Sequence, residues 1–217
     1  MPNVFLAKDN PDLAMVYQNQ SMAEQNSIDV AWGIFMEPEF AKLRSAVYSS
    51  VEEFELFRRI IVNGVIATDI FDPKLRAHRT KRWNCAFGGS QDEEHAMQKE
   101  PAAFRNCKAT ILIEHILQAS DISHMLQHWD VYSKWNGRFY QEMYTAFCQA
   151  RLDPDPTDTW YENELKFFDN YIIPLARRLK ESGLFGVSSD ELLNYAMRNR
   201  DEWERRGREL VSQSCTR

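Results

Sequence analysis

The segment from Ile111 to Trp129 carries acidic, amide and imidazole side chains at helical spacing. Intervals of four, three, three and four residues separate Glu114, Gln118, Asp121, His124 and His128, so a helix places them on one side. Two interpretations fit this polar stripe. In the first, it is the solvent-facing side of an amphipathic helix. In the second, the helix is buried on most sides, and its carboxylates and imidazoles converge on a cation or a phosphate.

The elements that position these side chains are predicted to be helices. The chain has 8 glycines and 8 prolines and lacks the alternating apolar pattern that is typical of strands. Ser21 lies three residues before Glu24, the spacing of a capping box, and Ser49-Ser50 precedes a long segment with an apolar face that ends near Ile70. We therefore expect an all-α, multi-helix bundle that forms one domain over residues 1–217.

Composition limits the classes of partner. The net charge of -6 argues against nucleic-acid binding, which relies on clustered Lys and Arg, and the basic run from Lys74 to Trp83 is interpreted as a solvated helix face.

The segment from Phe87 to Glu94 is predicted to be a loop, with His95 exposed beside it. Cysteine spacing indicates neither a zinc site nor disulfides, and no membrane segment is predicted. A cytoplasmic chain with a small ligand is expected.

One motif within the polar stripe resembles a known family. Ala119-Ser-Asp-Ile-Ser-His124, followed by Trp129, Lys134-Trp135 and Glu142, is similar to the Ala-x-Asp-[Ile/Val/Leu]-Ser-[His/Asn] motif of class I 3′,5′-cyclic-nucleotide phosphodiesterases. The resemblance implies that Asp121 is a ligand of the catalytic metal pair, with His124 among the groups around it. It also implies the HD-type catalytic-domain fold of that family.

Two further segments resemble parts of the same family that lie around the metals. Ile66-Ala-Thr-Asp-Ile70 is similar to Leu-Ala-Thr-Asp-Met, which implies that Thr68 and Asp69 lie at the edge of the metal site and that Asp69 hydrogen-bonds metal-bound water. From spacing alone, Asp69 is instead a solvated residue in a helix-terminal turn. The segment after Ser21 is similar to Ser-x-x-Glu-Asn-His, which implies that Glu24 orders metal-bound water, whereas spacing alone makes Glu24 a helix cap.

The segment from Glu162 to Leu175 resembles the family's Gln-x-x-Phe-Ile-Asp-x-Ile-x-x-Pro-Leu, in which Gln contacts the purine edge and Phe stacks on the base. Phe167 keeps the stacking position, and Glu164 stands where the family has Gln. An ionised carboxylate only accepts hydrogen bonds, whereas a glutamine amide both donates and accepts, so the preference between cAMP and cGMP stays open. The alternative is that Glu164 is an exposed charge beside Lys166.

The family also has features that this sequence does not contain. Its upstream His and His-Asp motifs and its proton-donating histidine are absent, Gln118 replaces a common His, and Asn26 and Ser27 replace two others. The resemblance implies zinc with magnesium or manganese in a complete domain, but one carboxylate does not make a zinc site of about four ligands.

Two readings of the chain follow. In the first, it is the C-terminal part of a cyclic-nucleotide hydrolase whose N-terminal part, and any membrane tether, belong to a longer protein. In the second, it is an inactive, metal-deficient binding or dimerisation module. In both readings the ligand is a cyclic nucleotide, a homo-oligomer stays open, and the chain alone is expected to retain no metal.

Overall fold

A computed structural model describes residues 3–88 and 101–214, and within these ranges it contains helices and no strands. The all-α prediction is confirmed. Most of the predicted loop from Phe87 to Glu94, together with His95, lies outside the described residues. The α-helices are α1 Asn3–Asp9, α2 Pro11–Val16, α3 Met22–Phe35, α4 Ala41–Val47, α5 Val51–Ala67, α6 Pro73–Phe87, α7 Pro101–Asp121, α8 Trp129–Cys148, α9 Trp160–Phe167, α10 Ile173–Glu181 and α11 Ser189–Ser214.

The chain divides into two compact units, Met1–Gln118 and Ala119–Arg217. Each unit is described by itself below. One domain can contain two compact units, so the single-domain organisation stays a prediction. None of the described helices is long and apolar enough to cross a membrane.

The first unit is built on helices whose starts follow from local chemistry. The Ser50 hydroxyl accepts the Glu53 N–H at the start of α5, as its position predicts. Asp72 accepts the N–H groups of Lys74 and Leu75 at the start of α6. Aromatic side chains pack α3 against α5, with ring centroids 5.0 to 6.4 Å apart, in a cluster made of Trp32, Phe35, Tyr48, Phe54 and Phe57.

The start of α3 differs from the predicted capping box. Ser21 does occupy the position before the helix, but its backbone is left-handed (φ 38°, ψ 47°) and its side chain makes no capping hydrogen bond. The hydroxyl is instead directed to Asp69. The capping-box prediction is therefore wrong, because a tertiary hydrogen bond replaces the local one.

The helix that carries the polar stripe is shorter than the sequence suggests. α7 ends at Asp121, a 3-10 turn covers Ser123–Leu126, and α8 starts at Trp129. The His128 side chain accepts the Asp130 N–H and caps the new helix. The predicted continuous stripe through His128 is wrong, because the chain turns before His128 is reached.

The second unit packs α8, α9 and α10 around α11. Its buried side chains include Tyr132, Phe168, Ile172, Leu179 and Trp203, of which Phe168, Ile172 and Leu179 are 0% exposed. Trp135, Phe139 and Tyr144 on α8 are exposed, so the aromatic side chains of this helix are buried only in part. A π-helical turn over Phe168–Ile172 joins α9 to α10 just before Pro174, which has no N–H to donate.

Candidate functional site

The buried part of the polar stripe is a structural ion pair. Glu114 is 3% exposed, and Nη1 of Arg82 donates to its two carboxylate oxygens at 2.7 and 2.8 Å. Gln118 is also buried, and its Nε2 donates to the carbonyl oxygen of Ala67 at 2.9 Å. The solvent-facing interpretation is therefore wrong for Glu114 and Gln118. Buried charge is retained here because an arginine compensates it.

The basic run on α6 is likewise not simply a solvated face. Arg79 is buried, and its Nη2 donates to the backbone carbonyl oxygen of Asp69, while Arg82 holds Glu114. The solvated interpretation is wrong for these two arginines. Both arginines donate hydrogen bonds to acceptors inside the first unit, and without them these acceptors would be buried without hydrogen bonds.

Two residues implied by the resemblance, Glu24 and Asp69, meet at the side chain of Asn3. Its Nδ2 donates to Glu24 Oε2 at 2.9 Å and to Asp69 Oδ2 at 3.4 Å, and its Oδ1 accepts the Ala23 N–H. Ser21 Oγ donates to Asp69 Oδ2 at 2.7 Å. Two carboxylates converge on one amide, an arrangement that can also order water.

Asp69 is 6% exposed, so the solvated-turn alternative is wrong for it. Its Oδ1 accepts the N–H groups of Phe71 and Asp72, which fixes the carboxylate at the end of α5. The Thr68 hydroxyl donates to the carbonyl oxygen of Val65 at 2.7 Å and is used within the helix end. Roles for Glu24, Thr68 and Asp69 toward metal-bound water stay predictions.

Asp121 and His124 lie in the second unit, at and after the end of α7. Asp121 is exposed, so the interpretation of a stripe buried on most sides is wrong for this residue, although partial desolvation still raises its pKa. His124 is half-buried beside Trp135, with ring centroids 6.2 Å apart, and burial lowers its pKa. Burial thus favours the neutral form of the His124 imidazole.

A metal site needs more ligands than Asp121 supplies. Within residues 3–88 and 101–214, no group of three or more His, Cys, Asp or Glu side chains is placed to hold a metal ion. Structural and catalytic zinc sites take three or four protein ligands. The described residues therefore do not fit a complete metal centre.

Glu164 is the most unusual titratable group of the second unit. It is 8% exposed, so the alternative of an exposed charge beside Lys166 is wrong. Tyr132 Oη donates to Glu164 Oε1 at 3.1 Å, and the Asn136 side chain also hydrogen-bonds the carboxylate. Trp160 Nε1 donates to Asn136 Oδ1 at 3.3 Å and thereby directs the Asn136 amide N–H groups toward Glu164.

Burial changes the acidity of both members of the Tyr132 and Glu164 pair. Desolvation raises the pKa of Glu164 to about 7, against the opposing hydrogen bonds from Tyr132 and Asn136. Desolvation, followed by the charge of Glu164, also holds the pKa of Tyr132 well above its ordinary value. Near neutral pH, Glu164 therefore exists in both the ionised and the protonated form.

Phe167 lies one helical turn after Glu164 on α9, so the two side chains share a face of that helix. Phe167 is half-buried, and its ring stacks on Tyr171 with centroids 5.3 Å apart and planes inclined by 10°. A flat, partly exposed ring beside a buried hydrogen-bonding group is suited to contact an aromatic base.

Four residues organise these groups in ways that the sequence does not predict. Asn3 and Ser21 connect carboxylates that are far apart in sequence, and the local pattern at Ser21 indicates only a helix start. Tyr132 and Asn136, four residues apart on α8, both hydrogen-bond Glu164. Asn136 is a polar residue among the aromatic side chains of α8, and this break in the apolar pattern is a signal that could have identified the group.

Comparisons with known proteins give a consistent result. A family model described as 3′5′-cyclic nucleotide phosphodiesterase matches residues 1–182. The dual specificity calcium/calmodulin-dependent 3′,5′-cyclic nucleotide phosphodiesterase 1C of Mus musculus is 25% identical over 142 residues, which are 65% of this chain and 17% of the relative. The cGMP-specific 3′,5′-cGMP phosphodiesterase 3 of Dictyostelium discoideum is 20% identical over 215 residues, with 95% of this chain and 42% of the relative covered.

Solved structures show the same fold. The phosphodiesterase domain of Salpingoeca rosetta rhodopsin phosphodiesterase matches with a TM-score of 0.72 and 19% identity over 98% of this chain and 62% of that domain. The phosphodiesterase domain of the RhoPDE fusion protein from the same organism matches with a TM-score of 0.71 and 18% identity, over 100% of this chain and 65% of that one. The chain spans less than half of these curated relatives and just under two thirds of the solved domains.

Proposed function

Because the chain belongs to the 3′,5′-cyclic nucleotide phosphodiesterase family, we propose that it forms part of a domain that hydrolyses 3′,5′-cyclic nucleotides to 5′-nucleoside monophosphates. The observation that carries this proposal is the family match over residues 1–182, which includes Asp121, Glu164 and Phe167. Two of its relatives are named as a dual-specificity and a cGMP-specific phosphodiesterase, which supports a cyclic-nucleotide substrate.

Within this proposal, Glu164 and Phe167 bind the purine. The Phe167 ring stacks on the base, and the Glu164 carboxylate contacts the edge of the base. Asp121, which is exposed, supplies one carboxylate ligand to the metals that the family uses. The remaining ligands come from outside the described residues, so hydrolysis is assigned to the larger domain.

The test uses a longer protein that carries this chain together with the family's upstream His and His-Asp motifs. Asp121→Ala is expected to abolish hydrolysis of cGMP and cAMP through loss of metal, measured by turnover and by zinc content. Asp158→Ala, a change at another exposed aspartate of the second unit, is the matched control and retains both. Full zinc content with normal hydrolysis in Asp121→Ala would contradict the assignment.

Phe167→Ala tests the purine contact in the same protein. Stacking on the base is present in both the ground state and the transition state, so KM is expected to rise more than kcat falls. A loss of roughly tenfold in affinity is expected for one lost base stack. Phe185→Ala, which removes an exposed ring elsewhere in the second unit, is the control. An unchanged KM in Phe167→Ala would argue against a base contact.

A second function is favoured because the described residues contain no group of three side chains placed to bind a metal ion. In this alternative the 217-residue chain alone binds cyclic nucleotide without hydrolysing it and acts as a binding or dimerisation module. We expect the isolated chain to retain no zinc and to show no hydrolysis above background. Stoichiometric zinc with turnover in the isolated chain would exclude this alternative.

A further inference from the structure

The contacts of Glu164 inside the protein are all with donors. Tyr132 Oη donates to Oε1, and the Asn136 amide also donates to the carboxylate. Asn136 cannot offer its oxygen instead, because that atom accepts the Trp160 N–H. The surroundings therefore favour an acceptor at position 164 and hold it in one orientation.

Purine edges differ in what they offer to such an acceptor. Guanine presents two adjacent donors, the N1–H and the N2 amino group. Adenine presents one amino donor flanked by ring nitrogens that are acceptors. A carboxylate thus gains two hydrogen bonds from the guanine edge, whereas on adenine one of its oxygens faces a lone pair.

We propose that Glu164 selects a guanine base over an adenine base at the purine contact of the proposed function. The inference rests on the proposed cyclic-nucleotide function and specifies its substrate as cGMP. Selectivity arises because an acceptor held by Tyr132 and Asn136 complements the two donors of guanine and repels the acceptors of adenine. Position 164 is therefore the specificity-determining residue of the pocket.

Burial and the contact with Tyr132, rather than the charged groups around α9, determine the protonation of Glu164. On α9 itself, Glu162 pairs with Arg208 at 2.9 Å, and Lys166 is exposed. On α11, Arg200 binds Asp169 at 3.0 Å and also binds Glu204 on the exposed side. From α8, Tyr132 is the titratable group that hydrogen-bonds Glu164. The turn before α9 contributes the carboxylates of Asp155 and Asp158, of which Asp155 caps the Thr157 N–H.

Selectivity should consequently depend on pH. The pKa of Glu164 is raised to about 7, so the carboxylate is ionised above this pH and protonated below it. A protonated carboxyl group both donates and accepts, which matches the adenine edge. Affinity for cAMP should therefore increase as the pH falls through 7, while affinity for cGMP decreases.

The test measures equilibrium binding of cGMP, cAMP and cyclic inosine monophosphate to the 217-residue chain by isothermal titration calorimetry at pH 6 and pH 8. At pH 8 we expect cGMP to bind about tenfold more tightly than cAMP, the effect of one matched base contact. Cyclic inosine monophosphate keeps the N1–H but lacks the N2 amino group, and it should fall between the two. At pH 6 the ratio of cGMP to cAMP affinity should decrease.

Glu164→Gln provides the matched variant. Its amide oxygen can accept from Tyr132 and Asn136, which turns the amide N–H groups toward the ligand and favours an acceptor-rich edge. The cGMP preference should then be lost and its pH dependence abolished. Glu162→Gln, a change at the exposed end of the same helix, should keep the wild-type ratio. The wild-type pH comparison does not depend on the folding of any variant.

The outcomes separate this inference from the proposed function. Equal, pH-independent affinities for cGMP and cAMP in the wild-type chain would overturn guanine selectivity while leaving cyclic-nucleotide binding intact. A cGMP preference that survives Glu164→Gln unchanged would also overturn it. Failure of all three nucleotides to bind would contradict the purine pocket of the proposed function and the inference with it.

Discussion

Two buried glutamates, one in each compact unit, are stabilised in opposite ways. Glu114 is 3% exposed and receives two hydrogen bonds from the Arg82 guanidinium. Glu164 is 8% exposed and is held by the neutral donors of Tyr132 and Asn136. Desolvation raises the pKa of Glu164 to about 7.

The difference separates a structural carboxylate from one that is available to a ligand. A carboxylate paired with arginine is already compensated, and its main effect is to fix α6 against α7. A carboxylate with neutral donors keeps an unbalanced charge that a ligand's donors can neutralise. Perturbed acidity combined with neutral surroundings is therefore the better indicator of function here.

The largest expected effect comes from removing the positive charge of Arg82, which compensates the buried carboxylate of Glu114. Arg82→Met leaves a buried carboxylate without a cation, so we expect a loss of about 3 kcal/mol in the free energy of unfolding, reduced somewhat because Arg82 is 27% exposed. Urea denaturation at pH 7 measures it. The exposed neighbour Lys81→Met is the control, and Arg82→Met combined with Glu114→Leu should recover much of the loss. A loss below about 0.5 kcal/mol would mean that the pair is not structural.

An intermediate effect is expected from the pH dependence of Glu164. Its folded pKa of about 7 exceeds the ordinary value of 4.5, so the folded state binds the proton more tightly than the unfolded state does. The resulting stability is fully present below pH 4.5 and is lost as the pH rises from there through 7, at no more than about 1.4 kcal/mol per pH unit. Thermal unfolding from pH 4.5 to 8 should show this decrease in wild type and in Glu162→Gln but not in Glu164→Gln. An identical decrease in all three proteins would assign it to other groups.

The smallest effect is expected from Tyr132→Phe, which removes one donor to Glu164 and preserves the ring packing. The loss in unfolding free energy at pH 8 should be about 1.5 kcal/mol, the contribution of one hydrogen bond to a charged group. The loss should shrink at pH 5, where Glu164 is protonated. Tyr195→Phe on α11 is a matched control in the same unit. A loss that does not change with pH would show that Tyr132 does not sense the charge of Glu164.

Local rules explain which features the sequence predicts well. Helical content follows from composition, and Glu164 and Phe167 share a face because three residues nearly complete one turn of α9. Ordered motifs identified the family. The break after Asp121 was not predicted, because apolar periodicity continues through a turn that the His128 cap determines.

Tertiary partners explain what the sequence could not predict. Asn3 bridges Glu24 and Asp69, which lie 21 and 66 positions away. Arg82 and Glu114 are 32 positions apart, so the burial of this pair is invisible to helical periodicity. Side chains that a local pattern assigns to solvent become buried when distant residues supply their hydrogen bonds.

The most direct measurement is a carboxyl-carbon NMR titration of Glu164 in the 217-residue chain, with and without cGMP. We expect a titration midpoint near 7 in the free chain. Added cGMP should lower this midpoint, because guanine donors stabilise the ionised form, and cAMP should raise it. A midpoint near the ordinary value of 4.5 that neither nucleotide changes would contradict a buried purine-binding carboxylate.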